Sequence, residues 1–313
     1  MNILSIVLAF VWCFLTTRGA SIDNCAASVT AFPPDPGSTE CCGVDGVGSS
    51  RIFAGSKAYL DDYPWLALIE YVQDGKLKTP CGGALISGKY VLTASHCVVG
   101  VQTIGKPENI ILGEYDLKNE GNDCYTNEEG DKHCTLGTVK IPIEKIIPHP
   151  EYQPKVKEHP YDIALIRMKE MAPYTDFIRP ICLPTTDITQ TTEPIKFYKA
   201  AWGRFAYPSE KNTVKAHVML PYVPQDICEA AFVPPLPKIT LTKNQICAGG
   251  DGTRDFCRGD AGFPLSYINR ELSFKSEIVG IVSFGAHPCN KTVPTVYTKV
   301  FEYMSWILSN IEA

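Results

Sequence analysis

Three short segments of the chain carry side chains that could act together in acyl transfer. They are "VLTASHC" with His96, "YDIAL" with Asp162 and "DFCRGDAGFPL" with Ala261. Acyl transfer by a side chain needs a hydroxyl nucleophile, a histidine base and a carboxylate that orients the base. His96 and Asp162 match the base and the carboxylate, whereas Ala261 lies in a glycine-flanked loop and has no nucleophilic atom. Each segment alone is more often structural, but their order and flanks together predict the remnant of a catalytic site.

These segments lie among elements that are typical of an all-β protein. Short apolar runs recur between turn residues from Ile52 onward, among them "PWLALIEYV", "ENIILGEY", "DIALIRM", "EIVGIVSFG" and "TVYTKV". Many short strands separated by glycine and proline predict an antiparallel β-barrel or sandwich. Near the end of the chain, apolar residues recur at helical spacing and predict a docked C-terminal helix. Its apolar face would consist of Val300, Met304, Ile307, Leu308 and Ile311.

The N-terminal residues 1–20 have the character of a secretory signal peptide. They read "MNILSIVLAFVWCFLTTRGA", an apolar run that ends in small residues, with a cut near Gly19 or Ala20. A membrane anchor is the alternative for this segment, and no later stretch is apolar enough to span a bilayer. The net charge of -5 argues against binding to nucleic acid, and also against a polybasic surface that would bind membranes. We therefore expect a secreted, extracellular protein without membrane insertion.

The cysteines fit an oxidising compartment. The chain has 13 of them, and Cys13 would leave with the signal, so an even number remains and disulfides are expected. Zinc binding is the alternative, but the cysteines do not cluster with histidines. Residues 21–51 are rich in proline, glycine and serine, which predicts an extended, disulfide-tethered segment without a core of its own.

Residues 52–313 resemble the trypsin-like (S1) serine proteases, and most of all the arthropod clip-domain branch, whose members run melanisation and Toll-activating cascades. The resemblance rests on "RIFAG", "CGGALI", "TASHC", "RPICLP", "AWGR", "GDAGFPL" and the "LGEYD" run that Cys124 and Cys134 follow. It implies an all-β fold of two six-stranded antiparallel β-barrels with the active cleft between them, and with the C-terminal helix in addition.

The segment before this region matches the family poorly. A clip domain needs more cysteines and more length than residues 21–51 provide, since this segment contains only Cys25, Cys41 and Cys42. The resemblance therefore implies that the clip domain is vestigial or absent.

The resemblance also assigns roles around Ala261. Arg51 would precede the activation cut, and the freed amine of Ile52 would insert and pair with Asp260. The amides of Gly259 and Ala261 would keep the outline of an oxyanion hole, which stabilises charge but attacks nothing.

A specificity pocket is implied beside this loop. Asp255 stands where trypsin-like members keep the carboxylate that receives arginine or lysine, and the wall would be formed by Ser283, Phe284 and Gly285. Thr295 replaces a glycine and would project into the pocket, since its side chain is branched at Cβ. Phe263 replaces a second glycine, at a position kept for unusual backbone angles. These departures predict an altered cleft.

The resemblance implies six disulfides. The pairs are Cys81–Cys97, Cys124–Cys134, Cys228–Cys247 and Cys257–Cys289, with Cys182 paired to Cys42 or Cys41 and Cys25 paired to the other.

Two further features are candidate sites. Asn290 in "NKT" is a glycosylation sequon. Glu114 matches a calcium-ligand position of the family and lies in a carboxylate-rich stretch, for which a solvated acidic loop is the equally good alternative. No cofactor is otherwise required.

Three hypotheses about function remain. The favoured one is a secreted, catalytically inactive protease homologue that acts by binding, either as a cofactor or regulator of an arthropod cascade or as a decoy or venom component that blocks one. Its partners would be extracellular proteins: cascade proteases, prophenoloxidase and an upstream trypsin-like activating protease. The others are a residual trypsin-like endopeptidase and a simple carrier or lectin-like protein.

Overall fold

The computed structural model describes residues 25–38, 41–45, 56–101, 104–119, 121–126, 130–205, 212–252, 255–286 and 290–313. The strands in these residues are β1 (Ser56–Lys57), β2 (Leu66–Gln73), β3 (Lys76–Leu85), β4 (Tyr90–Thr93), β5 (Lys106–Leu112), β6 (Cys124–Thr126), β7 (Lys132–Cys134), β8 (Val139–Pro148), β9 (Ala164–Met168), β10 (Lys196–Phe205), β11 (Asn212–Val223), β12 (Gln245–Ala248), β13 (Phe256–Arg258), β14 (Pro264–Asn269), β15 (Lys275–Phe284) and β16 (Thr295–Lys299). The α-helices are α1 (Gln225–Ala231) and α2 (Met304–Ser309), and 3-10 turns span Ser95–Cys97, Ile188–Gln190 and Val300–Tyr303. No helix in the described ranges is long and apolar enough to cross a membrane.

The first barrel closes in the order β2-β3-β4-β9-β8-β5, with every pair antiparallel. Its interior is filled by large apolar side chains such as Trp65, Ile69, Leu85 and Leu92, which are all fully buried. The short strands β6 and β7 form a separate hairpin outside the ring.

The second barrel contains β10, β11, β12, β16, β15 and β14. These strands pair in that order, and the pairing of β14 with β10 closes the ring, while β1 and β13 extend β11 and β10 at the edges. The predicted pair of six-stranded antiparallel barrels is therefore confirmed, and of the two all-β shapes left open by the strand pattern the chain adopts the barrel.

The C-terminal helix is confirmed, but one residue of its predicted face is wrong. Val300, Ile307 and Ile311 are buried, whereas Leu308 is 55% exposed. Leu308 lies about 100° around the helix from Ile307, at the edge of the apolar stripe. Tyr303, on the opposite edge of the stripe, is buried instead. The buried face of the helix is therefore displaced from Leu308 towards Tyr303.

The segment before Arg51 docks on the barrels through its backbone. The amide of Gly43 donates to the carbonyl of Pro180, and the amide of Ser276 donates to the carbonyl of Gly43. Lys275 adds a side-chain hydrogen bond from Nζ to the carbonyl of Pro36 at 2.7 Å. An extended segment without a core is thus ordered by groups that the barrels provide.

Five disulfides join described residues. They are Cys25–Cys41, Cys42–Cys182, Cys81–Cys97, Cys124–Cys134 and Cys228–Cys247. The choice left open by the sequence falls on Cys42 as the partner of Cys182. The expected pair Cys257–Cys289 stays a prediction, because Cys289 lies outside the described residues, as do the signal peptide, Arg51 and Ile52.

Cleavage after Arg51 should leave the preceding segment attached through Cys42–Cys182. We expect cleaved protein to run as one species without reductant and to lose the short chain once it is reduced. Mass spectrometry with and without reductant measures this, with Cys182→Ser as the variant that should release the segment unreduced. Release of the short chain from the wild-type protein without reductant would contradict the assignment.

Candidate active site

His96 and Asp162 meet where the two barrels face each other. His96 lies in the 3-10 turn that follows β4, and Asp162 immediately precedes Ile163 and β9. Nδ1 of His96 is 2.7 Å from Oδ2 of Asp162, and the backbone amide of His96 donates to Oδ1 at 2.8 Å. Because an ionised carboxylate only accepts, Nδ1 is the donor, and Nε2 is left as the basic position of the ring.

The carboxylate of Asp162 is fully buried and is held by further donors. Ser283 Oγ donates to Oδ2 at 2.5 Å, and Thr298 Oγ1 donates to the backbone carbonyl at 2.7 Å. Burial alone would raise the pKa of Asp162, but the charge and hydrogen bonds of His96 outweigh it and hold the pKa below its usual value. Burial would likewise lower the pKa of His96, and Asp162 raises it instead.

Ala261 occupies the third position of the expected site and carries no reactive side-chain atom. Its carbonyl accepts a hydrogen bond from the amide of Gly82 at 2.9 Å, which ties the loop to the first barrel. Gly259 and Gly262 flank it at φ of 92° and 77°, a backbone conformation that glycine adopts readily. The loop therefore keeps the turn that the resemblance implies, with a methyl group where a nucleophile would stand.

The hydroxyls nearest in sequence to His96 and Ala261 already donate hydrogen bonds to backbone carbonyls. Ser95 Oγ donates to the carbonyl of Ile163 at 2.6 Å, and Ser266 Oγ donates to the carbonyl of Tyr198 at 2.9 Å. Both side chains are buried, so neither is placed to act as a substitute nucleophile.

The floor of the expected pocket holds a cation from the chain itself. Nζ of Lys199 is 2.8 Å from Oδ1 of Asp255 and 2.7 Å from Oδ2 of Asp260. Lys199 has no exposed surface. It lies on β10 in phase with the buried residues Phe197 and Ala201.

Sequence reasoning overlooked this lysine, although a signal was available. In "IKFYKAAWG" the residues at spacing two from Phe197 face inward, because successive side chains on a strand point to opposite faces. A lysine in that phase needs a buried anion. The sequence pattern does not say which carboxylate it meets.

Thr295 lies across the same pocket. Its hydroxyl is 3.3 Å from Oδ2 of Asp255, and a Cβ built on Gly285 would be 3.6 Å from that hydroxyl. The side chain thus fills space between the pocket floor and the wall. Phe284, a second expected wall residue, contacts the ring of His159 at a centroid distance of 5.8 Å, and the third, Ser283, donates to Asp162.

Comparison with known proteins places this geometry in a family. The profile of the trypsin family matches residues 52–307. The chain is 48% identical to "Phenoloxidase-activating enzyme" of Bombyx mori, over 95% of this chain and 68% of that protein. The chain belongs to the trypsin family. It is also 38% identical to "Serine protease ea" of Drosophila melanogaster, over 92% of this chain and 76% of that protein. Among solved structures, the Drosophila Grass clip serine protease of the Toll pathway matches with a TM-score of 0.71 and 33% identity, covering 85% of this chain and 73% of that one.

Phe263 stands where the trypsin family keeps a glycine, but its backbone is not in the left-handed region that such a glycine suggests. Phe263 is absent from the described residues with positive φ, and its side chain is 1% exposed. The ring packs against Trp202 at a centroid distance of 5.8 Å and covers Gly82 so closely that a Cβ there would overlap it. Phe263 is therefore a core residue between the barrels, and it does not adopt the unusual backbone angle for which a glycine would be kept at this position.

The candidate sites at the surface differ in how well they fit. Asn290 is exposed, and Thr292 donates to its Oδ1 from both the amide and the hydroxyl, so the sequon is accessible and glycosylation stays a prediction.

Glu114 fits calcium poorly. Its Oε1 accepts from the amide of Tyr115, and the oxygens of Asp123 accept from Asn119 and from the amide of Asp116. The described residues around Glu114 do not gather into a group of three metal-ligating side chains.

Replacing Asp162 should reverse the pKa shift of His96. In Asp162→Asn the effect of burial remains without its counter-charge, so the pKa should fall below the ordinary 6.5. An NMR titration of the His96 Cε1 proton measures this, with the surface variant Asp176→Asn as control.

The same pair makes stability depend on pH in a defined direction. Because the pKa of His96 is raised, its contribution is present below 6.5 and is lost as pH rises through the raised value. Because the pKa of Asp162 is lowered, its contribution is present above 3.8 and is lost as pH falls through the lowered value. A His96 midpoint that does not move in Asp162→Asn would contradict this account.

Truncating Phe263 should destabilise the protein. We expect Phe263→Ala to lower the free energy of unfolding by about 3–5 kcal/mol, because it opens a cavity between the barrels. Phe274→Ala is the matched control, since Phe274 is 68% exposed and its loss should change stability by less than about 0.5 kcal/mol. Urea denaturation measures both, and equal effects would refute the core role of Phe263.

Proposed function

We propose that the protein is a secreted, catalytically inactive member of the trypsin family that acts by binding other proteins. The observation that carries this proposal is Ala261, which stands in an ordered loop beside an intact His96–Asp162 pair. Loss of a nucleophilic serine from such a site costs roughly 10⁶-fold in rate, as in subtilisin. The neighbouring hydroxyls of Ser95 and Ser266 already donate to backbone carbonyls.

The setting of this binding would be an extracellular immune cascade of arthropods. Relatives of the chain carry the names "Phenoloxidase-activating enzyme", "Melanization protease 1" and "Serine protease ea", and a similar solved structure belongs to the Toll pathway. We propose that the protein acts as a cofactor or regulator there, with cascade proteases, prophenoloxidase or an upstream activating protease as partners. A decoy that blocks the same cascade has the same chemistry and the opposite effect on it.

Loops on the rigid barrels are the surfaces we assign to recognition. Val233, in the stretch 232–237, is 58% exposed, while the neighbouring Phe232 is buried and anchors the loop. In the loop 118–131, Tyr125 is 43% exposed and stacks on His133 at a centroid distance of 5.2 Å. Each loop therefore presents an apolar side chain on a fixed base.

The enzymatic half of the proposal is tested with a fluorophosphonate probe. We expect no labelling of the wild-type protein after cleavage behind Arg51, while an active trypsin-family protease in the same experiment is labelled. Labelling of the wild-type protein at any residue near His96 would refute inactivity.

The binding half is tested by adding the purified protein to haemolymph and measuring phenoloxidase activity. We expect a dose-dependent change, with an increase indicating a cofactor and a decrease indicating a decoy. Val233→Glu should weaken the effect, whereas Leu77→Glu, at a 60% exposed residue of the β2–β3 hairpin, should not. A wild-type protein that leaves the activity unchanged at every ratio would refute the cascade role.

A further inference from the structure

We propose that the ammonium of Lys199 is a built-in cation that closes the specificity pocket to arginine and lysine side chains and takes the place of the freed Ile52 amine at Asp260. The trypsin-family resemblance provides two carboxylates for two different cations, one from the substrate and one from the cleaved chain. Here a single strand residue satisfies both. The inference concerns the pocket of this chain and does not depend on which partner it binds.

Lys199 is held by two short ion pairs. Among the described residues, its ammonium lies 2.8 Å from Asp255 Oδ1 and 2.7 Å from Asp260 Oδ2, and Tyr297 Oη lies at the longer distance of 3.5 Å. Burial alone would lower the pKa of Lys199, but the two carboxylates outweigh it and hold the pKa well above its usual value. The residue is therefore charged throughout the physiological range.

The pairing removes the attraction that a substrate cation would need. Asp255 is the carboxylate at the pocket floor, and one of its oxygens already accepts from Lys199 while the other lies 3.3 Å from the Thr295 hydroxyl. A second cation at this floor would lie close to the Lys199 ammonium in a poorly solvated space, where like charges repel strongly. The pocket would reject arginine and lysine even with a nucleophile present.

The pairing also orders the Ala261 loop before any cleavage. Asp260 is satisfied in the uncleaved chain, and the loop around it is held by hydrogen bonds from Gly82 N to Ala261 O and from Gly262 N to Val282 O. Insertion of the Ile52 amine would have to displace a buried ammonium. Cleavage after Arg51 would therefore add little further order to this loop.

The first test is chemical rescue of Lys199→Ala. This variant removes the cation that lies between Asp255 and Asp260 and leaves a void with the shape of n-propylammonium. We expect the melting temperature to fall by about 10 °C, and to recover by several degrees with n-propylammonium but not with n-propanol or with sodium chloride at equal concentration. Lys196→Ala, on the exposed side of the same strand, should melt within about 2 °C of wild type.

Two results of the rescue experiment would overturn the proposal. One is a Lys199→Ala protein that melts with the wild type, and the other is equal recovery with the alcohol and the ammonium.

The second test uses only the wild-type chain, so it decides the matter even if Lys199→Ala does not fold. Hydrogen exchange is followed in peptides that cover 259–263, before and after limited cleavage behind Arg51. We expect equal protection in both forms, because Lys199 already neutralises Asp260. Protection that rises by about tenfold or more on cleavage would show that the Ile52 amine orders the loop, and would refute the proposal. Neither test reads cascade activity, so their failure is distinct from a failure of the proposed function.

Discussion

Two carboxylates lie at the junction of the Ala261 loop and the pocket, and the amino group of Lys199 lies between them. Lys199 lies 2.8 Å from Asp255 and 2.7 Å from Asp260. One positive charge thus pairs with two carboxylates that, by the trypsin-family resemblance, would pair with two different cations, one from the substrate and one from the cleaved chain. Removing one member of a buried ion pair is far more costly than keeping it, because an unpaired charge remains. The loop, the expected pocket floor and β10 are therefore coupled through this one side chain, and we propose that the order of the loop does not depend on cleavage.

The same reasoning explains why His96 and Asp162 persist without a nucleophile. Asp162 is fully buried and accepts hydrogen bonds from His96 and Ser283. Replacing Asp162 would remove the acceptor of both Nδ1 of His96 and the Ser283 hydroxyl. Asp162 also joins the barrels, because Ser283 and Thr298 of the second barrel donate to it. Retention of His96 and Asp162 is therefore compatible with the proposal that the protein is inactive, and on that proposal the surface loops carry its function.

The sequence predicts the barrels well, because strand runs and turn residues are local signals. It also identifies His96, Asp162 and Ala261, which lie in recognisable segments. It misses the partner of Lys199, since the phase of a strand shows that a side chain faces inward but not which residue it meets across the barrel. Phe263 is misjudged for a related reason: the backbone angle and the open space above Gly82 are properties of the folded loop. The choice of Cys42 as the partner of Cys182 likewise depends on how residues 41–45 dock.

The most direct measurement of the central claim separates the nucleophile from the pocket in one variant. Ala261→Ser, cleaved behind Arg51, is assayed with a small uncharged fluorophosphonate and with an arginine amide substrate. The account predicts that the probe reacts, because His96 and Asp162 are in place, while the arginine substrate is not hydrolysed, because Lys199 occupies Asp255. Hydrolysis of the arginine substrate at a rate close to that of an active relative would contradict it.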